Sequence, residues 1–133
     1  FDPNAPITRA EFATICARFD HSSVEGTESF SDIHGHWAEK FVERAAALGW
    51  VNGYMDGTFR PNTTITRAEA MAMINRVLGR LPESEKDLLP GMKTWPDNAD
   101  PSAWYYLTIQ EATNGHIFER KADGIHERWI NLK

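Results

Sequence analysis

Residues 59–70 read FRPNTTITRAEA, and residues 1–12 read FDPNAPITRAEF. Phe, Pro, Asn, Ile, Thr, Arg, Ala and Glu recur between the two stretches at a constant offset of 58 residues, and the pentapeptide ITRAE is kept letter for letter. Such a match indicates an internal repeat, and a repeat determines the architecture before any single element is considered. We therefore compare the rest of the chain with the ITRAE stretch.

The composition is that of an ordinary globular protein and argues against several classes of partner. The chain has 133 residues, 41% hydrophobic and 25% charged, which is enough for one domain with its own core. The net charge of −5 argues against nucleic acid and anionic membranes. No run approaches the ~18 apolar residues of a membrane span, so no membrane insertion is predicted. Because Phe1 already lies inside a repeat, we expect a fragment of a longer protein.

Two capping boxes predict the helix starts in the repeated stretch. Thr8 and Glu11 have the T-x-x-E spacing, as do Thr66 and Glu69. In this arrangement the Thr hydroxyl accepts a backbone N–H of the first turn, and the Glu side chain accepts the N–H of the cap. Apolar residues at helical spacing follow both boxes, and the same spacing occurs in two further stretches of the chain. The predicted helices span about 9–19, 36–48, 67–79 and 101–114.

Turn residues punctuate the rest of the chain. Residues 20–29 are polar and predict a loop, and the segment 81–94 predicts a linker with a short helical turn at 83–89. Asp100 followed by Pro101 predicts the cap and first turn of the last helix. Asp123-Gly124, between mixed apolar and polar runs, predicts a small C-terminal β-hairpin.

The repeat count predicts one domain rather than several. Residues 1–29 form the latter half of one repeat, 30–80 a complete repeat, 81–94 a linker, and 95–133 a divergent repeat without an ITRAE sequence. Helices of about three turns are unstable alone and must pack on one another. We therefore expect a single compact domain over residues 1–133, mainly α, rich in loops and pseudo-symmetric.

Residues 30–79 resemble a complete S-layer homology (SLH) repeat, and residues 1–19 resemble the latter half of another. The resemblance rests on four motifs in chain order: an aromatic-x-Asp opening, a Trp-Ala pair, a connector with Gly-Tyr and Asp-Gly-x-Phe-x-Pro, and a Thr-Arg-Ala-Glu helix start. In this chain they are Phe30 to Asp32, Trp37-Ala38, Gly53-Tyr54 with Asp56 to Pro61, and Thr66 to Glu69. It implies three repeats about a pseudo-threefold axis. It also implies non-covalent anchoring of a surface protein to secondary cell-wall polysaccharide, often pyruvylated, in grooves between repeats.

The arginine of each ITRAE copy is the main candidate ligand residue. A cation at the first helical position opposes the helix dipole at a cost of a few tenths of a kcal/mol, so capping does not explain it. A carboxylate ligand would explain the arginine, because helix N–H groups and a guanidinium together form an anion site. For Arg67 a ligand and a structural salt bridge remain equal alternatives, and for Arg9 the ligand is the less favoured one.

Six other residues are candidates for ligand binding, each with a competing structural role. Thr66 and Glu69 are favoured as helix starters, Trp37 as a core residue over a sugar platform, and Asp32 as a helix cap over a partner for a sugar hydroxyl. The glycines and Asp56 supply turn geometry, although the resemblance implies that their loop contributes to a groove. These candidates are Trp37, Asp32, Gly53, Asp56, Gly57 and Glu69.

Rival site types fit the sequence poorly. A calcium loop starting at Asn52 would place Tyr54 and Thr63 at positions that need oxygen ligands, and the former cannot coordinate as a carboxylate does. Four histidines could supply zinc ligands, but without the defined spacing of a zinc site; they are His34, His36, His116 and His126. No nucleophile–base pair and no phosphate-binding loop is recognisable, so no catalytic residue, metal or cofactor is predicted.

The resemblance therefore predicts a non-catalytic anchoring module. Its partner would be secondary cell-wall polysaccharide, anionic and pyruvylated, and its place the outer surface of a bacterial cell. The alternative is a protein–protein or self-assembly module of a surface lattice, in which helical repeats with exposed aromatic side chains pair with neighbours.

Overall fold

The computed structural model describes residues 1–27 and 30–133, so the last two residues of the predicted loop 20–29, and with them the end of the first repeat, lie outside the described residues. Within the described part there are four α-helices and one antiparallel hairpin, which confirms a mainly helical chain with a C-terminal hairpin. The elements are α1 (Arg9–Ala17), α2 (Glu39–Ala47), α3 (Arg67–Val77), α4 (Tyr106–Thr113), β1 (His116–Arg120) and β2 (Glu127–Leu132), with 3-10 turns at Glu85–Asp87 and Pro96–Asn98.

The chain divides into two compact units, which we describe separately. The N-terminal unit is Phe1–Met73, and the C-terminal unit is Ile74–Lys133. No helix among the described residues is long and apolar enough to cross a membrane.

Both predicted capping boxes stand at helix starts, but they differ in detail. At α1 the Glu11 N–H donates to Thr8 Oγ1 (3.1 Å) and the Thr8 N–H donates to Glu11 Oε1 (3.2 Å), so the box is complete. At α3 the Glu69 N–H donates to Thr66 Oγ1 (3.2 Å), and the same hydroxyl donates to Glu69 Oε1 (3.1 Å). The Glu69 side chain therefore turns toward the Thr hydroxyl, with its second oxygen directed elsewhere.

Helix α2 and the aliphatic side chains around it supply the core of the N-terminal unit. It begins at Glu39, three residues later than the predicted start, and Ala38 at its N-cap supplies no side-chain hydrogen bond. It packs on α1 through small residues, and Gly49, with φ of 75°, allows the chain to leave the helix. The fully buried side chains here are Ala10, Ala13, Ile33, Ala38, Val42, Ala45 and Phe59.

Helix α4 starts later than the sequence predicts. The Asp100 carboxylate accepts the Ser102 N–H (2.9 Å) and its hydroxyl (2.7 Å), so it closes a local turn. The hydrogen bond from the Ser102 N–H is the one a helix cap would make, but the chain continues in turns over residues 101–105 and the helix starts only at Tyr106, so the prediction that Asp100 and Pro101 begin it is wrong.

The predicted hairpin is confirmed, with a longer connection than a two-residue turn. His116 pairs with Leu132 and Arg120 with Glu127, with a bulge between Ile117 and Phe118. Asp123 Oδ1 accepts the N–H groups of residues 125 and 126 (2.9 Å each), and Gly124 has φ of 70°. The C-terminal unit has its own small core, formed by Leu88, Tyr106 and Trp129.

Candidate functional site

The two copies of the repeated stretch lie against each other. The Arg9 N–H donates to the Thr63 carbonyl (2.8 Å), and the Ile65 N–H donates to the Ile7 carbonyl (3.1 Å). Thr8 and Thr64 form an antiparallel bridge. The start of α1 is therefore tied directly to the segment that leads into α3.

Arg9 is buried beneath the connector between α2 and α3. Its Nε donates to the Phe59 carbonyl (2.8 Å), its Nη2 donates to the Asn52 carbonyl (3.1 Å), and its Nη1 donates to the Glu69 carboxylate. The guanidinium also lies 4.8 Å from the centroid of the Tyr54 ring. Only 4% of Arg9 is exposed, so its donors are used within the protein.

Arg67 occupies the same position of the second copy in the opposite environment. It is exposed at the first position of α3 and makes no hydrogen bond or ion pair with any residue that the structure describes. A guanidinium in this place, beside the first N–H groups of a helix, is available to a carboxylate or phosphate.

Asp32 holds the connector and does not cap a helix. Its Oδ1 accepts the Phe59 N–H and its Oδ2 accepts the Arg60 N–H, both at 2.8 Å. Arg60 has φ of 57°, a left-handed conformation that costs energy for a residue with a Cβ atom. The favoured prediction, that Asp32 caps the following helix, is wrong because the N-cap of α2 is Ala38.

The glycines and Asp56 shape the same connector. A Cβ on Gly53 would lie 2.4 Å from the Phe30 ring, so the ring packs directly on the backbone. Asp56 Oδ1 accepts the Thr58 N–H (3.0 Å) and hydroxyl (2.6 Å), which lowers the pKa of Asp56. Gly57 has φ of 83°. Asp56 and Gly57 match the turn-geometry interpretation, whereas glycine is required at position 53 by the close approach of the Phe30 ring.

Trp37 is 61% exposed, so its interpretation as a core residue is wrong. It lies in the turn before α2, and the late helix start moves it off the apolar stripe. Its indole borders a groove of about 480 Å³ lined by Val24, Glu25, Gly26, Trp37, Lys40, Phe41, Glu43 and Arg44.

Two cations of this groove differ in availability. Arg44 donates to Asp20 Oδ2 from Nε (3.0 Å) and Nη2 (2.6 Å). Hydrogen bonds from Ser22, and then from Arg44, lower the pKa of Asp20 to about 2. Lys40 is exposed and forms no ion pair within the described part of the chain. Sequence reasoning missed Lys40, although its position three residues after Trp37 could have indicated a shared surface.

The four histidines considered as zinc ligands have separate partners. His34 lies 3.4 Å from the Glu39 carboxylate, and His36 Nε2 lies 2.8 Å from Asn62 Oδ1. His126 Nδ1 lies 2.6 Å from Asp123 Oδ2, and His116 belongs to a buried cluster described below. They do not converge on one centre.

One protein family matches the N-terminal part of the chain, and two relatives match most of it. The profile of the family described as S-layer homology domain matches residues 1–13 and 29–71, all within the N-terminal unit. Cell surface glycoprotein 1 of Acetivibrio thermocellus is 37% identical in an alignment of 131 positions that covers 89% of this chain and 5% of that protein. The cellulosome-anchoring protein of the same organism is 38% identical in an alignment of 130 positions that covers 93% of this chain and 28% of that protein.

A shorter match relates the chain to a third protein. Outer membrane protein SlpA of Thermus thermophilus is 45% identical over 62 residues, 46% of this chain and 7% of that protein. The chain thus spans only a minor part of each of these relatives.

Proposed function

Because the chain belongs to the S-layer homology domain family, we propose that it is a non-catalytic module that anchors a surface protein to the bacterial cell envelope. Its ligand is secondary cell-wall polysaccharide, an anionic polymer whose ketal-linked pyruvate groups carry carboxylates. The module acts outside the cell, at the cell wall. The names of the relatives support this location at the cell surface, since they describe a cell surface glycoprotein, an anchoring protein and an outer membrane protein.

The observation that carries the proposal is the contrast between Arg67 and Arg9. Arg9 has carbonyl and carboxylate partners that explain its presence in the ITRAE stretch. Arg67 has none among the described residues, although its charge opposes the dipole of α3. An external carboxylate would satisfy both the guanidinium and the helix N-terminus.

The groove beside Trp37 supplies a second contact in this proposal. An exposed indole offers an apolar face to a sugar ring, and the Lys40 ammonium offers a charge to an anionic substituent. The connector residues Asp32, Gly53, Asp56 and Gly57 maintain the surface between the two copies of the repeat. Arg9 and Glu69 support this surface through their partly buried ion pair and do not contact the polymer.

We extend the proposal to the arrangement of the repeats. The chain forms one domain with three repeats about a pseudo-threefold axis, and the third repeat lacks the ITRAE arginine. Polymer binding therefore depends mainly on the N-terminal unit.

The alternative function is self-assembly within a surface lattice, for which exposed aromatic side chains such as Trp37 and Trp104 are available. A sedimentation assay with purified cell wall separates the two functions. Binding should disappear when the secondary polysaccharide is stripped from the wall by acid and should return when the extracted polymer is restored. Binding that survives complete stripping would contradict the polysaccharide proposal and favour a protein partner.

A further inference from the structure

We propose that Glu111 is held as a neutral carboxylic acid that donates a hydrogen bond to the Glu127 carboxylate, so that the C-terminal unit loses stability as the pH rises. The inference is independent of polymer binding. It rests on a buried cluster that joins α4, both strands of the hairpin and the segment after α3.

The cluster buries two carboxyl groups beside one permanent cation, Arg80, whose side chain is 28% exposed. Glu111 is 5% exposed and Glu127 is fully buried. Arg80 Nε lies 2.9 Å from Glu127 Oε2, and Arg80 Nη2 lies 3.1 Å from Glu111 Oε1. If both carboxyl groups were ionised, one negative charge would remain uncompensated in a dry site, which is costly.

His116 does not supply the missing positive charge. Its Nε2 lies 2.7 Å from Arg80 Nη2, and its Nδ1 lies 2.7 Å from the Asn114 carbonyl. An arginine can only donate hydrogen bonds, so Nε2 accepts one and the proton of the ring is on Nδ1, from which it is donated to the carbonyl. This tautomer is uncharged.

The same tautomer leaves Oε1 of Glu127 in need of a donor, since Arg80 donates to Oε2. Glu127 Oε1 lies 3.3 Å from His116 Nε2, and Glu111 Oε1 lies 3.2 Å from the same nitrogen. A nitrogen that accepts from Arg80 cannot donate to either oxygen. A proton on Glu111 supplies the donor for Glu127 and removes the excess charge in one step. The other oxygen of Glu111, Oε2, accepts the Trp129 indole N–H (2.8 Å).

The electrostatic environment favours the same state. Burial, followed by the hydrogen bond and charge of Glu127, raises the pKa of Glu111 from its ordinary 4.5 to about 8, against opposing effects of Trp129 and Arg80. Within the described residues, the charged or titratable groups that face this carboxyl are Arg80 after α3, His116 on β1 and Glu127 on β2.

A metal ion fits this place less well than a proton. One ligand atom from each of Glu111, His116 and Glu127 lies within 4.8 Å of the others, which is a spacing that a metal site could use. Arg80 already contacts all three groups, so an ion there would adjoin a fixed positive charge.

The direction of the pH dependence follows from proton binding. Between pH 4.5 and about 8 the folded chain holds a proton on Glu111 that the unfolded chain releases. The contribution of Glu111 to folding is therefore greatest below pH 4.5, weakens as the pH rises, and levels off above about 8. With one proton involved, the folding equilibrium constant falls about tenfold per pH unit within this window.

Two measurements test the inference. Denaturant unfolding of the intact chain from pH 5 to 8 should show this fall for the wild type and for the control Glu119→Gln, whose side chain is 55% exposed. Glu111→Gln should lack it, because an amide is neutral throughout and can still donate to Glu127. An equal pH dependence in wild type and Glu111→Gln would overturn the proposal.

The second measurement follows the Glu111 carboxyl carbon of the wild-type chain by NMR, so it remains informative if the variant fails to fold. A titration midpoint near pH 8 is expected. In Glu127→Gln the midpoint should move to lower pH, because the neighbouring charge is gone. An ionised Glu111 at pH 6, with the proton found instead on an imidazolium at His116, would refute the assignment.

Discussion

Arg9 of the first ITRAE copy, itself buried, forms an ion pair with the partly exposed Glu69 of the second copy. The pair joins residues 60 positions apart and leaves Arg67, the counterpart of Arg9, without an internal partner among the described residues. The two identical pentapeptides thus have different roles. The arginine of the first copy joins the two copies, and the arginine of the second, in our proposal, binds the ligand.

Arg67→Ala should weaken binding to cell-wall polysaccharide at least tenfold while the melting temperature changes little. The side chain is exposed and makes no hydrogen bond or ion pair with the residues that the structure describes, whereas a hydrogen-bonded charge pair with the ligand is worth about 1.5–3 kcal/mol. Calorimetric titration with extracted polymer and a thermal melt measure the two effects. Arg67→Lys, which keeps the charge but loses the planar fork, should bind with intermediate affinity. Unchanged affinity in the alanine variant would remove Arg67 from the site.

Arg9→Ala should produce the reverse pattern and destabilise the N-terminal unit by about 2–4 kcal/mol. The change leaves Glu69 and two carbonyl groups without their donor in a largely buried place. Chemical denaturation measures the loss. Arg67→Ala is the matched control, since it removes the same side chain from the same motif position. Equal stability of the two variants would contradict the assigned difference.

The contrast between the two arginines also marks the limit of sequence reasoning. Capping chemistry is local, so Thr8 and Thr66 were enough to predict where α1 and α3 begin. The partner of Arg9 is distant in sequence, and the identical motif carries no sign of it. The protonation state of Glu111 is likewise not visible in the local sequence, because it depends on Arg80, His116 and Glu127.

Helix boundaries account for the errors in the other elements. Asp100 has a good capping side chain, but the chain forms turns over residues 101–105 before α4 begins. Trp37 fits helical spacing, but α2 begins two residues after it and the indole is left in a groove. The apolar spacing identifies the element in both cases but does not determine its first residue.

Trp37→Ala should reduce polymer affinity with a stability cost below about 1 kcal/mol, because most of the indole is already in water. Trp37→Phe should retain part of the affinity, since it keeps an aromatic face. Phe59→Ala, which removes a fully buried ring, is the contrasting variant and should cost about 3–5 kcal/mol. Affinity is measured as for Arg67, and stability by denaturation. Wild-type affinity in Trp37→Ala would exclude the groove from the binding surface.

Gly53→Ala should destabilise the connector by about 1–3 kcal/mol. The new methyl group would lie 2.4 Å from the Phe30 ring and 2.8 Å from the Thr58 carbonyl, so the packing must shift. Gly57→Ala is the matched control, because a Cβ there meets nothing within 4 Å and only the positive φ is unfavourable. It should cost about 1 kcal/mol. Denaturation curves of the two variants give the comparison, and a larger loss at Gly57 would contradict the role given to Phe30.

Asp32→Ala should destabilise the connector by about 2–3 kcal/mol, and by more in the Arg60→Gly background. The carboxylate accepts the N–H groups of Phe59 and Arg60 and so maintains the left-handed conformation of Arg60, which glycine adopts without the steric cost. In a double-mutant cycle measured by denaturation, the cost of Asp32→Ala should be larger in the Arg60→Gly background by up to about 1 kcal/mol, because Arg60 can leave the strained conformation once the carboxylate is gone, whereas glycine has no such strain to recover. Strict additivity of the two changes would mean that Asp32 stabilises the connector through its hydrogen bonds alone, and that the conformation of Arg60 is maintained by other contacts, such as the one between its guanidinium and the Tyr54 ring.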